Sequence, residues 1–155
     1  SGEVEAQVVA AFEVESPDII VIEGQGALSH PAYLTSAYIL RGSRPDGVIL
    51  QHAPMRGALD DYPAMPMPTA ASEIALIESF AQTRVIGVTV NHENMTDEQI
   101  TAAIDEYELD LGIPATDALF RPIERLVEMV LQAYPALRER VGSGSPVAAS
   151  AAHPS

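Results

Sequence analysis

The chain has 155 residues, a formal net charge of −14 and no cysteine. That length suits one domain with one core, the charge argues against nucleic acid and anionic membranes as partners, and the missing thiols exclude disulfides, thiolate catalysis and cysteine zinc sites. All eight basic residues are arginines, so no lysine of this chain can hold a phosphate or form a Schiff base.

The acidic start "SGEVEAQVVAAFE" does not read as a signal peptide. No apolar run reaches the roughly 18 residues of a membrane span, so the expected location is cytoplasmic. Residues 3 to about 14 read as a helix, with Val4, Val8, Ala11 and Phe12 at helical spacing, closed by Pro17. "DIIVIEG" (18–24) is a short β-branched run, as in a strand buried on both faces. Residues 32–40 fit a helix or an irregular segment that Gly42 stops, and "DGVILQH" (46–52) is a second strand. Residues 53–69 carry four prolines and predict a long loop, of the kind that forms lids or partner contacts.

"TAASEIALIESFA" predicts a helix capped by Thr69, with Ile74, Ile77 and Phe80 inward. "RVIGVTVNH" (84–92) is a third strand. The next helix carries a capping box, Thr96 with Gln99, and ends at Gly112. "IPATDAL" (113–119) predicts a fourth strand or an extended segment. "PIERLVEMVLQAY" predicts a helix with Pro122 in its first turn and a stripe of Ile123, Leu126, Val127, Val130, Leu131 and Tyr134. Residues 142–155, rich in Gly, Ser and Ala, predict a disordered tail after a single unit over 1–141.

Strands alternating with helices predict an α/β fold with a mostly parallel sheet flanked by helices. In such sheets ligands bind beyond the carboxyl ends of the strands. The expected strand ends carry Glu23, Gln25 and His30; Gln51 and His52; Asn91, His92, Glu93 and Asn94; and Asp117. Gly24 and Gly26 let backbone and ligand approach closely. Each residue also has a plain structural reading: Glu23 could cap a helix or pair with an arginine, His30 could sit in a turn, His52 and His92 could be satisfied supporting groups, and Asn91 and Asn94 are common turn formers. Arg41 and Arg44 could be solvated or could meet an anionic ligand. The spacing of the three histidines fits no compact zinc motif. The string "GSGSP" lacks the preceding strand that a hydrolase elbow needs.

"DIIVIEGQGAL" resembles the acidic motif of P-loop enzymes of the dethiobiotin synthetase and cobyric acid synthase kind, and "VIGVTVNHEN" is similar to their later strand ending in Asn. That resemblance implies Glu23 as a Mg²⁺ ligand, Asn91 as a purine-side contact, and an ATP- and Mg²⁺-dependent ligase or kinase as one reading. A longer resemblance covers Ser1 to about Val141. "IEGQGALSHPAYLTSAYILRGSRPDGVILQHAP", "PMPTAASEIALIE", "VIGVTVNHENMT" and "LGIPATDALFRPIERLV" look like the C-terminal half of a family long labelled as of unknown function, some of whose members are assigned as D-glutamate N-acetyltransferases.

The longer resemblance implies a P-loop-like fold and acetyl transfer from acetyl-CoA to the amine of D-glutamate. His30, His52 or His92 would be the base. The Gly24–Gly26 turn, Asn91 and Asn94 would be oxyanion or cofactor contacts. Arg41, Arg44 or Arg56, with Gln25, Gln51 and Asn94, would hold the substrate. The chain departs from the pattern in lacking Gly-x-x-x-x-Gly-Lys-[Ser/Thr]. The family would place that loop and the first strands upstream of Ser1, so a tightly held partner is expected: an N-terminal portion carrying the P-loop, or further copies of the chain. Cleavage could also make Ser1 an N-terminal nucleophile.

Overall fold

The structure is a computed structural model, and it describes residues 1–142. Helix α1 (Gly2–Glu15) packs on α2 (Thr35–Ser43). Strand β1 (Val48–His52) follows, then a hairpin of β2 (Ala58–Leu59) and β3 (Tyr62–Pro66). After it come α3 (Ala70–Ala81), β4 (Val85–Val90), α4 (Asp97–Leu111), β5 (Ala115–Thr116), α5 (Glu124–Ala133) and α6 (Ala136–Gly142). The sheet is parallel, in the order β1-β4-β5, with Gln51 beside Thr89 and Thr89 beside Thr116. Helices α3, α4 and α5 pack on it, so the expected parallel α/β architecture holds.

Local signals explain most of these elements. Thr69 caps α3 by accepting from the Ser72 amide at 3.1 Å. The Thr96–Gln99 box closes the start of α4, and Gly112 ends it in a left-handed conformation. β4 is buried almost throughout, because it is the central strand with packing on both faces. Leu40, Ile77 and Val85 form a core cluster under α2 and α3.

Four expectations are corrected. The apolar run 18–24 forms no strand: Val21 is 89% exposed, and Ile19 and Ile22 are exposed too. A strand needs a neighbour to pair with, and nothing in the described residues pairs with this one. The proline-rich stretch 53–69 is not wholly irregular, since Leu59 pairs with Tyr62 across a tight turn. Gly42 does not stop α2 but lies inside it. A Cβ there would come within 2.4 Å of the Ser1 carbonyl and 2.7 Å of Val4 Cβ, so the glycine lets α1 cross close to α2. In α5 the buried residue is Met129, while Ile123 and Val127 stay exposed. Met129 docks over Gly87 of β4, whose missing side chain makes the groove. The expected tail lies outside the described residues, apart from Gly142, which ends α6.

The two sheet edges differ. At β5 the Ala115 amide donates to Glu108 Oε1 at 3.0 Å, and Arg125 holds the same carboxylate. A side chain thus takes up an amide that a further strand would otherwise claim. β1 at the other edge borders no further strand among the described residues, and Ile49 and Gln51 are exposed along it.

Candidate functional site

The parallel register brings the ends of β1, β4 and β5 together. The Asn91 amide donates to the His52 carbonyl at 2.7 Å, which joins the first two strand ends. Beyond β4, His92 Nδ1 lies 2.7 Å from Oδ2 of Asp117, the residue that follows β5. Asp117 is 1% exposed. Its Oδ1 accepts the amides of Leu119 at 2.7 Å and Phe120 at 3.1 Å. Burial pushes the Asp117 carboxyl up, but these two amides and His92 outweigh it and hold it below the usual carboxylate range. The carboxylate is therefore ionised and faces Nδ1 at ion-pair distance, although Oδ2 makes no well-aligned hydrogen bond among the described residues. Nε2 of His92 has no hydrogen-bond partner among the described residues, and its side chain is 26% exposed. The Phe120 ring stands edgewise against the imidazole at 4.4 Å.

The other two histidines are bound differently. His52 is buried, with Nε2 2.9 Å from the Pro68 carbonyl and Nδ1 2.5 Å from the Tyr107 hydroxyl. A carbonyl can only accept, so Nε2 carries the hydrogen and Nδ1 accepts from Tyr107. Both nitrogens are used. Burial, then Glu106, pushes the Tyr107 hydroxyl up to about 12. His30 is also buried, and its Nδ1 accepts the amides of Ala32 and Tyr33, each at 3.2 Å. The hydrogen of its neutral ring therefore sits on Nε2, which makes it a donor. Tyr33 stacks on the ring at 4.4 Å, and Tyr62 meets it edgewise at 5.5 Å.

The hairpin straps these parts together. Tyr33 donates to Asp61, and Arg56 spans Asp60 and Glu93. Glu73, buried in the first turn of α3, accepts the Leu28 amide at 2.8 Å and the Ser29 amide at 3.4 Å, and so anchors the glycine loop. Within that loop Ser36 Oγ donates to the Gln25 and Gly26 carbonyls, and Gly26 takes φ 84°, which favours glycine. Glu23, Gly24 and Gln25 are exposed, as is Gln51. Asn91 Oδ1 accepts the Glu93 amide, and Asn94 makes the turn with φ 60°.

Arg41 and Arg44 are not brought to this edge. Helix α2 runs back from the crevice, so its end precedes β1 at the opposite side of the sheet. There Arg41 lies over the Phe80 ring, and Arg44 is the left-handed cap. Arg56 does reach the site, but Nε, Nη1 and Nη2 are all engaged with acids. Sequence reasoning placed Asp117 at a strand end without naming its pairing, and it missed Tyr107, Glu73, Arg121 and Arg125. An acid directly after "IPAT" was the available signal for Asp117. For metal, no group of three His, Asp or Glu side chains converges among the described residues.

A family model described as "Domain of unknown function (DUF1611_C) P-loop domain" matches residues 1–127. Two relatives named D-glutamate N-acetyltransferase, from Tritonibacter scottomollicae and a Pseudoalteromonas species, are each 31% identical, over 70% and 69% of this chain. The chain spans about a third of their length, 34% in both cases. A crystal structure of a DUF1611 family protein from Anabaena variabilis superposes with a TM-score of 0.76 at 29% identity, covering 84% of this chain and 40% of that one. The chain therefore belongs to the DUF1611 family, within its C-terminal P-loop domain.

Proposed function

We propose that this chain forms part of an N-acetyltransferase that moves the acetyl group of acetyl-CoA to the amine of D-glutamate or a similar amino acid. The observation that carries the reading is the pairing of His92 with the buried carboxylate of Asp117. An ammonium cannot attack a thioester until it loses a proton. His92 Nε2 accepts that proton, while Asp117 fixes the tautomer and stabilises the imidazolium that forms. The amine nitrogen then bonds to the thioester carbon, the carbon–sulfur bond breaks, the thiolate leaves as CoA thiol with the proton from His92, and the nitrogen's remaining excess proton passes through the freed His92 Nε2 to solvent.

His30 Nε2–H and the amides of the Gly24–Gly26 turn are donors suited to the oxyanion that develops. Gln25, Gln51, Asn91 and Asn94 supply further polar contacts. The chain has no Gly-x-x-x-x-Gly-Lys loop and no lysine, so its own residues offer no P-loop for the phosphates of CoA. We assign that task to an N-terminal portion of the complete protein, which also supplies the neighbour for residues 18–24. Copies of the chain assembled as a homo-oligomer remain part of the proposal. A ligase using ATP and Mg²⁺ would centre on Glu23, which belongs to no converging group of three His, Asp or Glu side chains among the described residues.

The test is CoA release by the full-length protein given acetyl-CoA and D-glutamate, with and without ATP. ATP-independent release is expected, falling at least about a hundredfold in His92→Gln and in Asp117→Asn. Strict ATP dependence, or full activity in His92→Gln, would sink the assignment.

A further inference from the structure

We propose that Phe120 is a positioning residue: its ring holds the His92 imidazole in the orientation that keeps Nδ1 on Asp117 and leaves Nε2 clear of protein partners. Its part in catalysis rests on the reading of His92 as the base, while the orientation itself does not.

Asp117 alone does not set that orientation. Its Oδ2 stands 2.7 Å from Nδ1 but makes no well-aligned hydrogen bond among the described residues. One close atom fixes a point on the imidazole. The ring can still swing about that point, or flip about its Cβ–Cγ bond and carry Nδ1 away. A second contact is needed, and among the described residues Phe120 is the aromatic ring that meets His92. The centroids are 4.4 Å apart and the planes cross at 64°, the edgewise arrangement that aromatic pairs favour.

One carboxylate places both partners. Asp117 Oδ2 faces His92, while Oδ1 accepts the Phe120 amide at 3.1 Å. The Leu119 amide donates to the same Oδ1 at 2.7 Å, and the Arg121 amide donates to the Asp117 carbonyl at 3.3 Å. The turn is thus wound around this one buried acid, and the backbone of Phe120 is anchored to the group that faces Nδ1.

Burial does not explain the ring. Phe120 is 71% exposed, so little core packing depends on it. It cannot share a proton either, since its side chain has no polar atom. The other histidines differ. Tyr107 hydrogen-bonds His52, and His30 accepts two amides at Nδ1 besides its contacts with Tyr33 and Tyr62. At His92 the aromatic neighbour acts by contact alone.

The test is the imidazole nitrogen NMR spectrum of the full-length protein, recorded with the rings neutral and with His92 assigned by the signals lost in His92→Gln. A lone pair at Nδ1 would be repelled by the carboxylate, so the parent should show a hydrogen-bearing Nδ1 and a bare Nε2. In Phe120→Ala the two shifts should converge, because the ring turns and both tautomers are populated. Phe120→Tyr keeps the ring and should retain the parent pattern. Turnover gives a second arm: kcat for CoA release should fall about three- to tenfold in Phe120→Ala, with KM for acetyl-CoA and D-glutamate unchanged to within about twofold. The proposal is overturned if Phe120→Ala keeps the parent pattern, if Phe120→Tyr loses it, or if KM rises while kcat holds. A large drop in the unfolding midpoint of Phe120→Ala would also overturn it, because the ring would then be a structural support. If the parent itself releases no CoA, the acetyl-transfer reading fails, and the nitrogen shifts still decide the role of Phe120.

Discussion

At the residue scale, three histidines with the same sequence signature end in three chemical states. Each was legible as a residue near a strand end. Their roles depended on partners distant in the chain: Asp117 for His92, Tyr107 and Pro68 for His52, and two neighbouring amides for His30. Only the last set could be read locally, because an acceptor ring two and three residues before free amides is a turn feature. The other pairings follow from strand register and helix crossing, which one sequence does not display. The buried Tyr107 hydroxyl also carries a pH signature. Its hydroxyl is raised from 10.0 to about 12, so its contribution is complete below about pH 10 and is lost as pH rises toward 12. Unfolding midpoints measured from pH 8 to 12 should fall more steeply in the parent than in Tyr107→Phe. Tyr33 is raised too and titrates in both proteins, so the difference between the two curves isolates Tyr107. Parallel curves would refute the burial-driven rise of the Tyr107 hydroxyl.

At the element scale, caps and termini were the legible part. The Thr69 cap, the Thr96–Gln99 box and the Gly112 stop stand where residue type and spacing put them. The stripe on α5 was misplaced because the groove that receives the helix is made by Gly87, on a strand far away in sequence. A Cβ at Gly87 would come within 2.7 Å of Met129 Sδ and 3.2 Å of the Pro114 carbonyl. Gly87→Ala should therefore cost about 1–3 kcal/mol through overpacking. Gly57→Ala, where a Cβ meets nothing within 4 Å, is the control and should be close to neutral. Urea unfolding of the two variants decides the matter, and equal midpoints would mean that Met129 does not depend on the glycine.

At the scale of the whole molecule, the least legible feature was residues 18–24. Their composition describes a strand accurately, yet a strand is a property of its neighbours. Val21 at 89% exposure marks a segment with no pairing among the described residues. In the full-length protein the amides of residues 18–23 should exchange with deuterium far more slowly than in the 155-residue chain alone. Identical rates would mean that the segment is not a strand in either.

The closed β5 edge has one more consequence, for stoichiometry. A sheet with two open edges can add copies without limit, and that is how fibres grow. Here Glu108 and Arg125 terminate one side. Two copies meeting through this sheet have one sticky flank each, and joining uses up both. If copies associate along the strands, association stops at a pair, because the cap on β5 leaves each copy only its β1 edge.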